Sequence, residues 1–508
     1  MQGRIRFVQG RMRASKSDIK AGLRALGKAA WAAYDENDNS KVFRFIDAYG
    51  TVASQFNLNY SSDEMESLLK SISSRIIKPV TGYHADPSHW VLYDDFCTSY
   101  VLGLQWLEAM ASSGKSILYI TTRDISKEGR HKNILDRVAE YTNVESIVIP
   151  QGDGIRRAQS VYDAIVGFKA SKVVLHKYPT RSVSDLVLPS LPDSVTRYLI
   201  NLSDQTFWYG ARSIDYCLEF RQFGASVSLQ RRGLRKERLL MVPFYPADDR
   251  NGFTGFPPEC SQDRLTVFSG GDYYKTLDEK RTFWNLVKRL LRTYPQVVFL
   301  FATKNIPEGD AEIQRFISDN HFEGRFIYIH FRPDIYQVFA HCDIYMGTCP
   351  TSGSLMSQLA AIHSKPVLQY YSPGTPDDET EQAICINEHF SISFDNEESF
   401  FEEADRLITD PAYRERQGKR LRRAMMQHEQ FNGLVVETLM SDESQIPIKE
   451  YPVDYDGLDD RWYYLEKAGY KDSLKYLYGL LGAKECFKSA PGIFFKKNLN
   501  RFSALLHR

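Results

Sequence analysis

No stretch of this chain approaches the roughly 18 consecutive apolar residues that a membrane-spanning helix requires. Cysteine is sparse: the seven, at positions 97, 217, 260, 342, 349, 385 and 486, are scattered and odd in number. No pair of them has metal-ligand spacing, a pattern that suits a reducing compartment. Charge of one sign is not in excess either, since lysine plus arginine (64) equals aspartate plus glutamate (64). A chain so balanced has no global field to draw nucleic acid. Residues 1–31 are rich in basic side chains but lack the apolar core of a signal peptide. Together these absences predict a soluble, cytoplasmic protein. Also missing is an Asp-x-Asp motif placed after a strand to hold a divalent ion. Asp94-Asp95 and Asp248-Asp249 lack the spacing, and Asp377, Asp378 and Glu379 fall in a loop.

What the 508 residues do contain is apolar content of 43%, with 13% aromatics, enough for more than one core. Residues 1–87 read as a helical extension, in which Ser61 or Ser62 is placed to cap SSDEMESLLKSISSRII. From residue 88 to about 250, strands alternate with helices: WVLYDD, KSILYITTR, VESIVIP, KVVLHKYP and VTRYLINL, each separated by an amphipathic segment. The stretch PADDRNGFTGFPPECSQ, rich in proline, glycine and polar residues, breaks the pattern. It restarts over 262–425 with LTVFSGGD, QVVFLFATK, RFIYIHF and DIYMG. Alternation of this kind predicts α/β architecture, two doubly wound Rossmann-like domains with parallel sheets, flanked by added N- and C-terminal helices. Ligand crevices in such sheets lie beyond the carboxyl ends of the strands. Residues 426–508 read as helical again. Their last segment, GIFFKKNLNRFSALLHR, combines basic and apolar side chains, so it fits either a peripheral membrane-surface helix or a solvated tail packed on the body.

Five segments could carry chemistry. In DIYMGTCPTSGSLMSQLAAIHSKPVLQYY, a loop of small residues joins a strand to a helix. Such a loop leaves backbone N–H groups at the positive end of the helix dipole, an anion seat suited to phosphate. Thr348, Ser352, Gly353 and Ser354 fit that seat, although an ordinary Ser/Thr cap has the same look. In FSGGDYYKTLDEK, Gly270 and Gly271 allow close approach of a ligand and Lys275 can reach a phosphate; a loop with solvated charges is the other reading. In RFIYIHFRPD, Arg332 could meet a base or a phosphate, or simply pair with Asp334. In YYSPGTPDDETEQ, the acidic residues Asp377, Asp378, Glu379 and Glu381 could accept from sugar or ribose hydroxyls, or form a solvated cluster. On the first domain's side, Asp204 follows the strand RYLINL beside Gln205, Phe207 and Trp208, where an enclosed carboxylate could act as general base. Asp215 is a second candidate; a cap or a helix N-terminal acid is the plain alternative for each. His131 and His176 follow α/β elements here and read as structural.

The layout over about residues 88–425 resembles the two-domain glycosyltransferases of the GT-B fold, whose second domain binds a nucleotide-sugar. The segment from Asp343 to Tyr371 is similar to their diphosphate loop and helix, and to the Gly-Thr-rich donor loop of the O-linked N-acetylglucosamine transferases. NLSDQTFWYG resembles a pattern of bacterial surface-polysaccharide transferases, Asn-His-Ala-Asp-His followed by Phe-Trp-x-Gly. Leu202 and Gln205 stand where that pattern has histidines; Asn201, Asp204, Phe207, Trp208 and Gly210 match it. The resemblance implies a metal-independent glycosyltransferase of polysaccharide biosynthesis with no cofactor beyond its nucleotide-sugar co-substrate. It would transfer to a glycan, lipid-linked or protein acceptor. The donor would be held by Gly270, Gly271, Lys275, Arg332, Thr348, Ser352, Gly353, Ser354 and Glu381, with Asp204 or Asp215 as catalytic carboxylate. A nucleotide-sugar epimerase of the same fold and a non-catalytic glycan- or nucleotide-binding module remain as alternatives.

Overall fold

The structure, a computed structural model, describes residues 12–95, 100–122, 129–150, 152–180, 183–248, 250–260, 263–304, 307–371, 376 and 378–506. They form two compact units. The first comprises residues 1–242 with 434–452 and 458–508, the second 243–433 with 453–457. The helical ends expected as separate regions at 1–87 and 426–508 therefore fold largely as parts of the first unit.

In the first unit, helix Lys16–Asp35 begins at a capping box on Ser15 and buries Ile19, Leu23, Leu26 and Ala30, one helical stripe. Helix Asp63–Ile76 is capped by Ser62, whose hydroxyl accepts from the Met65 amide. Seven strands follow: β1 (Asp86–Asp94), β2 (Ser116–Thr121), β3 (Val144–Val148), β4 (Ala170–His176), β5 (Thr196–Ile200), β6 (Tyr216–Glu219) and β7 (Leu239–Met241). They make one parallel sheet in the order β3-β2-β1-β4-β5-β6-β7. Burial on both faces explains why β1 and β4 read as unbroken apolar runs (Trp90 to Tyr93, Val173 to Leu175) instead of alternating. Helices Ser473–Ser489 and Pro491–Leu506 close back onto the first helix. Leu474, Leu477, Cys486 and Ile493 share its core with Ile19 and Leu23, and a Cβ on Gly22 would lie 2.7 Å from Leu477. Helix 473–489 turns at Gly482, whose φ of +76° only glycine adopts without strain.

The second unit repeats the plan with six strands: β8 (Leu265–Gly270), β9 (Val297–Ala302), β10 (Phe326–Ile329), β11 (Ile344–Met346), β12 (Val367–Tyr370) and β13 (Ser393–Phe394). The order is β10-β9-β8-β11-β12-β13, all parallel. In each sheet the strand order reverses beside the first strand, between β1 and β4 and between β8 and β11. Ligands of doubly wound sheets bind at that reversal, outside the carboxyl ends. No helix among the described residues is long and apolar enough to cross a membrane.

Candidate functional site

At the β8/β11 reversal the structure gathers the small-residue loops of the second unit. Gly271 N–H donates to Ala302 O at 3.0 Å as the chain leaves β8. A Cβ on Gly271, at φ +149°, would lie 3.4 Å from Lys275 Cδ and 3.9 Å from Thr348 Cγ2. The short 3-10 turn Tyr273–Thr276 then presents Lys275, whose carbonyl accepts from Thr351 N at 3.2 Å, binding this turn to the loop after β11. That loop leads into helix Ser354–Ile362, and its cap residue is Gly353, which gives the first-turn amides no side-chain acceptor. Lys275 Nζ lies 3.5 Å from where a Gly353 Cβ would stand. An ammonium and the positive end of a helix dipole thus share one place, walled by glycines that let an anion come close to backbone. Ser352 and Ser354 are half-buried beside it.

The loop's shape is set from beneath. Gln369 Nε2 donates to Thr348 O at 3.1 Å and to Tyr370 O at 2.9 Å. A Cβ on Gly347 would sit 1.8 Å from Gln369 Oε1, so this glycine is required by contact. Thr348, expected among the ligands, is fully buried, and its hydroxyl donates to Thr351 O at 2.7 Å. It shapes the seat.

Two other residues expected at the donor are committed elsewhere. Arg332 makes a two-pronged pair with Asp334 (2.7 Å for each nitrogen) and donates to Gly255 O at 2.8 Å. Asp334 also accepts from Thr254 N and Oγ1 at 2.8 and 2.9 Å. Burial opposes its charge, but the Arg332 and Thr254 bonds prevail and hold its carboxyl at about 2. Arg332 therefore fastens the 254–255 segment and does not present its guanidinium to a nucleotide. Glu381 takes bonds from Ile392 N (2.7 Å), Ser393 N (2.8 Å) and Ser393 Oγ (2.9 Å), and burial raises its pKa. It holds the sheet's edge strand. Asp377 and the side chain of His131 lie outside the described residues.

The carboxylates expected to be catalytic in the first unit are also paired within the fold. Asp204 is buried and faces Arg221, with Nε 2.5 Å from Oδ2 and Nη2 3.0 Å from Oδ1. Arg232 donates to the carbonyls of Asp204 and Thr206 at 2.7 and 2.6 Å and stacks over Trp208 at 4.8 Å. Gly210 N–H donates to Glu66 at 2.7 Å. The matched residues are thus a buried brace, with Gln205, in one histidine position, fixed by Arg461 at 2.9 Å. Asp215 precedes β6, at the amino end of the sheet, where it accepts from Arg197 N at 2.8 Å. It lies at the edge opposite to the one that binds ligands.

What the residues did not announce is the polar network at the β1/β4 reversal. Asp94 and His176 are register partners, joined through Nδ1 at 2.8 Å, and Tyr119 OH donates to Asp94 at 2.9 Å. Thr122 donates to Asp95, and Lys177 donates to both oxygens of Asp185 at 2.5 and 2.6 Å. Burial raises Asp185 to about 7 against the pull of Lys177, helped by the charges of Glu66 and Asp95. One signal was present: Asp94-Asp95, Thr121-Thr122 and His176-Lys177 each end an apolar run on adjacent strands.

No protein-family model matches the sequence, and no curated protein matches it either. Solved structures do match in fold. A point mutant of the O-GlcNAc transferase of Thermobaculum terrenum superposes with a TM-score of 0.53 at 14% identity, covering 83% of this chain and 78% of that one. HepE of Anabaena in complex with UDP-glucose gives 0.50 at 14% identity, over 70% of this chain and 99% of its own. A Listeria monocytogenes protein described provisionally as a UDP-N-acetylglucosamine 2-epimerase gives 0.50 at 9%, over 72% and 100%. At such identities the likeness speaks for fold, and with the two reversed-order parallel sheets it establishes that this chain has the two-domain GT-B fold of glycosyltransferases.

Proposed function

We propose that the chain is a glycosyltransferase that moves a sugar from a nucleotide-sugar donor to a glycan, lipid-linked or protein acceptor. The observation that carries this reading is the meeting of Lys275 with the glycine-capped start of helix 354–362, at the β8/β11 reversal. In transfer, the bond between the sugar's anomeric carbon and the diphosphate oxygen breaks, and negative charge grows on the departing nucleoside diphosphate. A fixed ammonium and oriented amides stabilise that charge, the task a divalent ion performs elsewhere, so the reaction is expected to proceed without metal. The attacking acceptor hydroxyl gives up its proton as the new glycosidic bond forms. The relative solved with UDP-glucose shares the fold and supports the donor class.

Calorimetry with UDP tests the reading. Lys275→Ala should weaken binding about ten- to a hundredfold, since a hydrogen bond to a charged group contributes about 1.5–3 kcal/mol. Unchanged affinity in the variant, or no affinity in the parent chain, overturns the site. An epimerase is the second reading, favoured by the fold likeness to the Listeria protein. Conversion of UDP-N-acetylglucosamine with no acceptor present would select it over transfer. A pure binding module would take up UDP-sugar and leave it intact.

A further inference from the structure

Among the described residues, four large apolar side chains are more than half exposed, and three of them lie on the last two helices: Phe487 (59%), Phe495 (54%) and Leu499 (54%). Phe487, Phe494 and Phe495 form a ring cluster, with centroids 5.2, 6.2 and 5.4 Å apart. Solvent-facing phenylalanines in contact with one another are a standing cost in water, which marks a surface built for contact.

The rotation of helix Pro491–Leu506 is fixed by its other side. Ile493 is fully buried. Gly492 packs so tightly that a Cβ there would stand 2.3 Å from Asp18 Oδ1. Lys496 donates to Asp18 at 2.5 Å, and Asn500 exchanges bonds with the Met12 backbone at 2.6 and 2.9 Å. Phe495 and Leu499, one turn apart, are thereby held outward. Around them residues 484–501 carry Lys484, Lys488, Lys496, Lys497 and Arg501 against a single acid, Glu485. Lys484, Lys488 and Arg501 are exposed. In a chain whose charges cancel overall, this is a local concentration of positive charge.

We infer that this face docks on an anionic lipid bilayer. Aromatic and aliphatic side chains would enter the headgroup boundary while the flanking lysines and arginine meet acidic headgroups. Charge decides the occupant: an uncharged apolar partner would gain nothing from the basic rim. A second copy of the chain would set the same positive rims against each other.

The test is sedimentation of the full chain with vesicles of phosphatidylcholine, with and without phosphatidylserine; no nucleotide enters it, so its outcome is separate from that of the donor site. The chain should bind the phosphatidylserine vesicles, lose them as salt is raised, and leave pure phosphatidylcholine vesicles alone. Lys484→Ala and Lys488→Ala should each weaken binding about fivefold. Phe495→Ser should weaken it as well, while thermal unfolding stays as in the parent because these side chains face solvent. Equal binding to both vesicle types, absence of binding, or self-association that Phe495→Ser abolishes would overturn the proposal.

Discussion

The two sheets share one topology, yet their carboxyl edges differ at the same place. At the β1/β4 reversal, charge is dense and answered within the unit: Asp94 by His176 and Tyr119, Asp185 by Lys177. One strand further on, Asp204 is answered by Arg221 and Glu219 by Asn201 and Ser228. At the β8/β11 reversal, the loop after β11 carries small and uncharged side chains, and Lys275 lies against it. Opposed charges buried together neutralise each other, which makes a firm scaffold with little left for a ligand. Lys275 stands beside the start of a helix, where its ammonium and the helix dipole act in the same direction. Topology gives both edges the same reversal, and side-chain chemistry makes one a paired scaffold and the other a meeting of an ammonium with a helix start.

That contrast can be broken by experiment. The largest effect is expected at Asp204→Ala. Stranding Arg221 inside the first unit should cost about 3–5 kcal/mol of stability, read by denaturant unfolding, with UDP affinity kept in the folded fraction. A variant of full stability would show that the pair is not a brace. Next is Gly347→Ala, which forces a methyl group into Gln369. Overpacking of this kind costs about 1–3 kcal/mol, and because Gln369 supports Thr348 O, UDP affinity should fall with it. Loss of stability alone would separate the loop's shape from the seat.

The smallest effect is a pH dependence. Asp334, held at about 2 in the folded state against the usual 3.8 of an aspartate, binds fewer protons folded than unfolded between those values. Its contribution is therefore complete above about 4 and is lost as pH falls through about 2. Acid unfolding of Asp334→Asn should lack that component. An unchanged acid limb would mean that the Arg332 pair contributes nothing to holding the 254–255 segment.

Much of the fold was legible because it is written locally. Apolar runs such as VVLH and VVFLF, the cap at Ser62, and the small residues from Thr348 to Ser354 announce strands, helix starts and a strand-to-helix loop within a few positions. The meeting of Gly271, Lys275 and Gly353 is legible for the same reason: it needs only two neighbouring strands. Arg332 and Asp334 sit two residues apart, and that pairing was among the readings open from the start.

Asp204 was another matter. A carboxylate among aromatics after a strand looks the same in sequence whether a guanidinium faces it or not, and Arg221 reaches it from seventeen residues away. Asp94 and His176 are 82 positions apart and meet because β1 and β4 are in register. Composition and periodicity thus determined the α/β class, the two sheets and the small-residue loop after β11, since those depend on neighbours along the chain. Which charges meet was decided by tertiary structure, because strand register and helix packing choose partners that no short stretch of sequence contains.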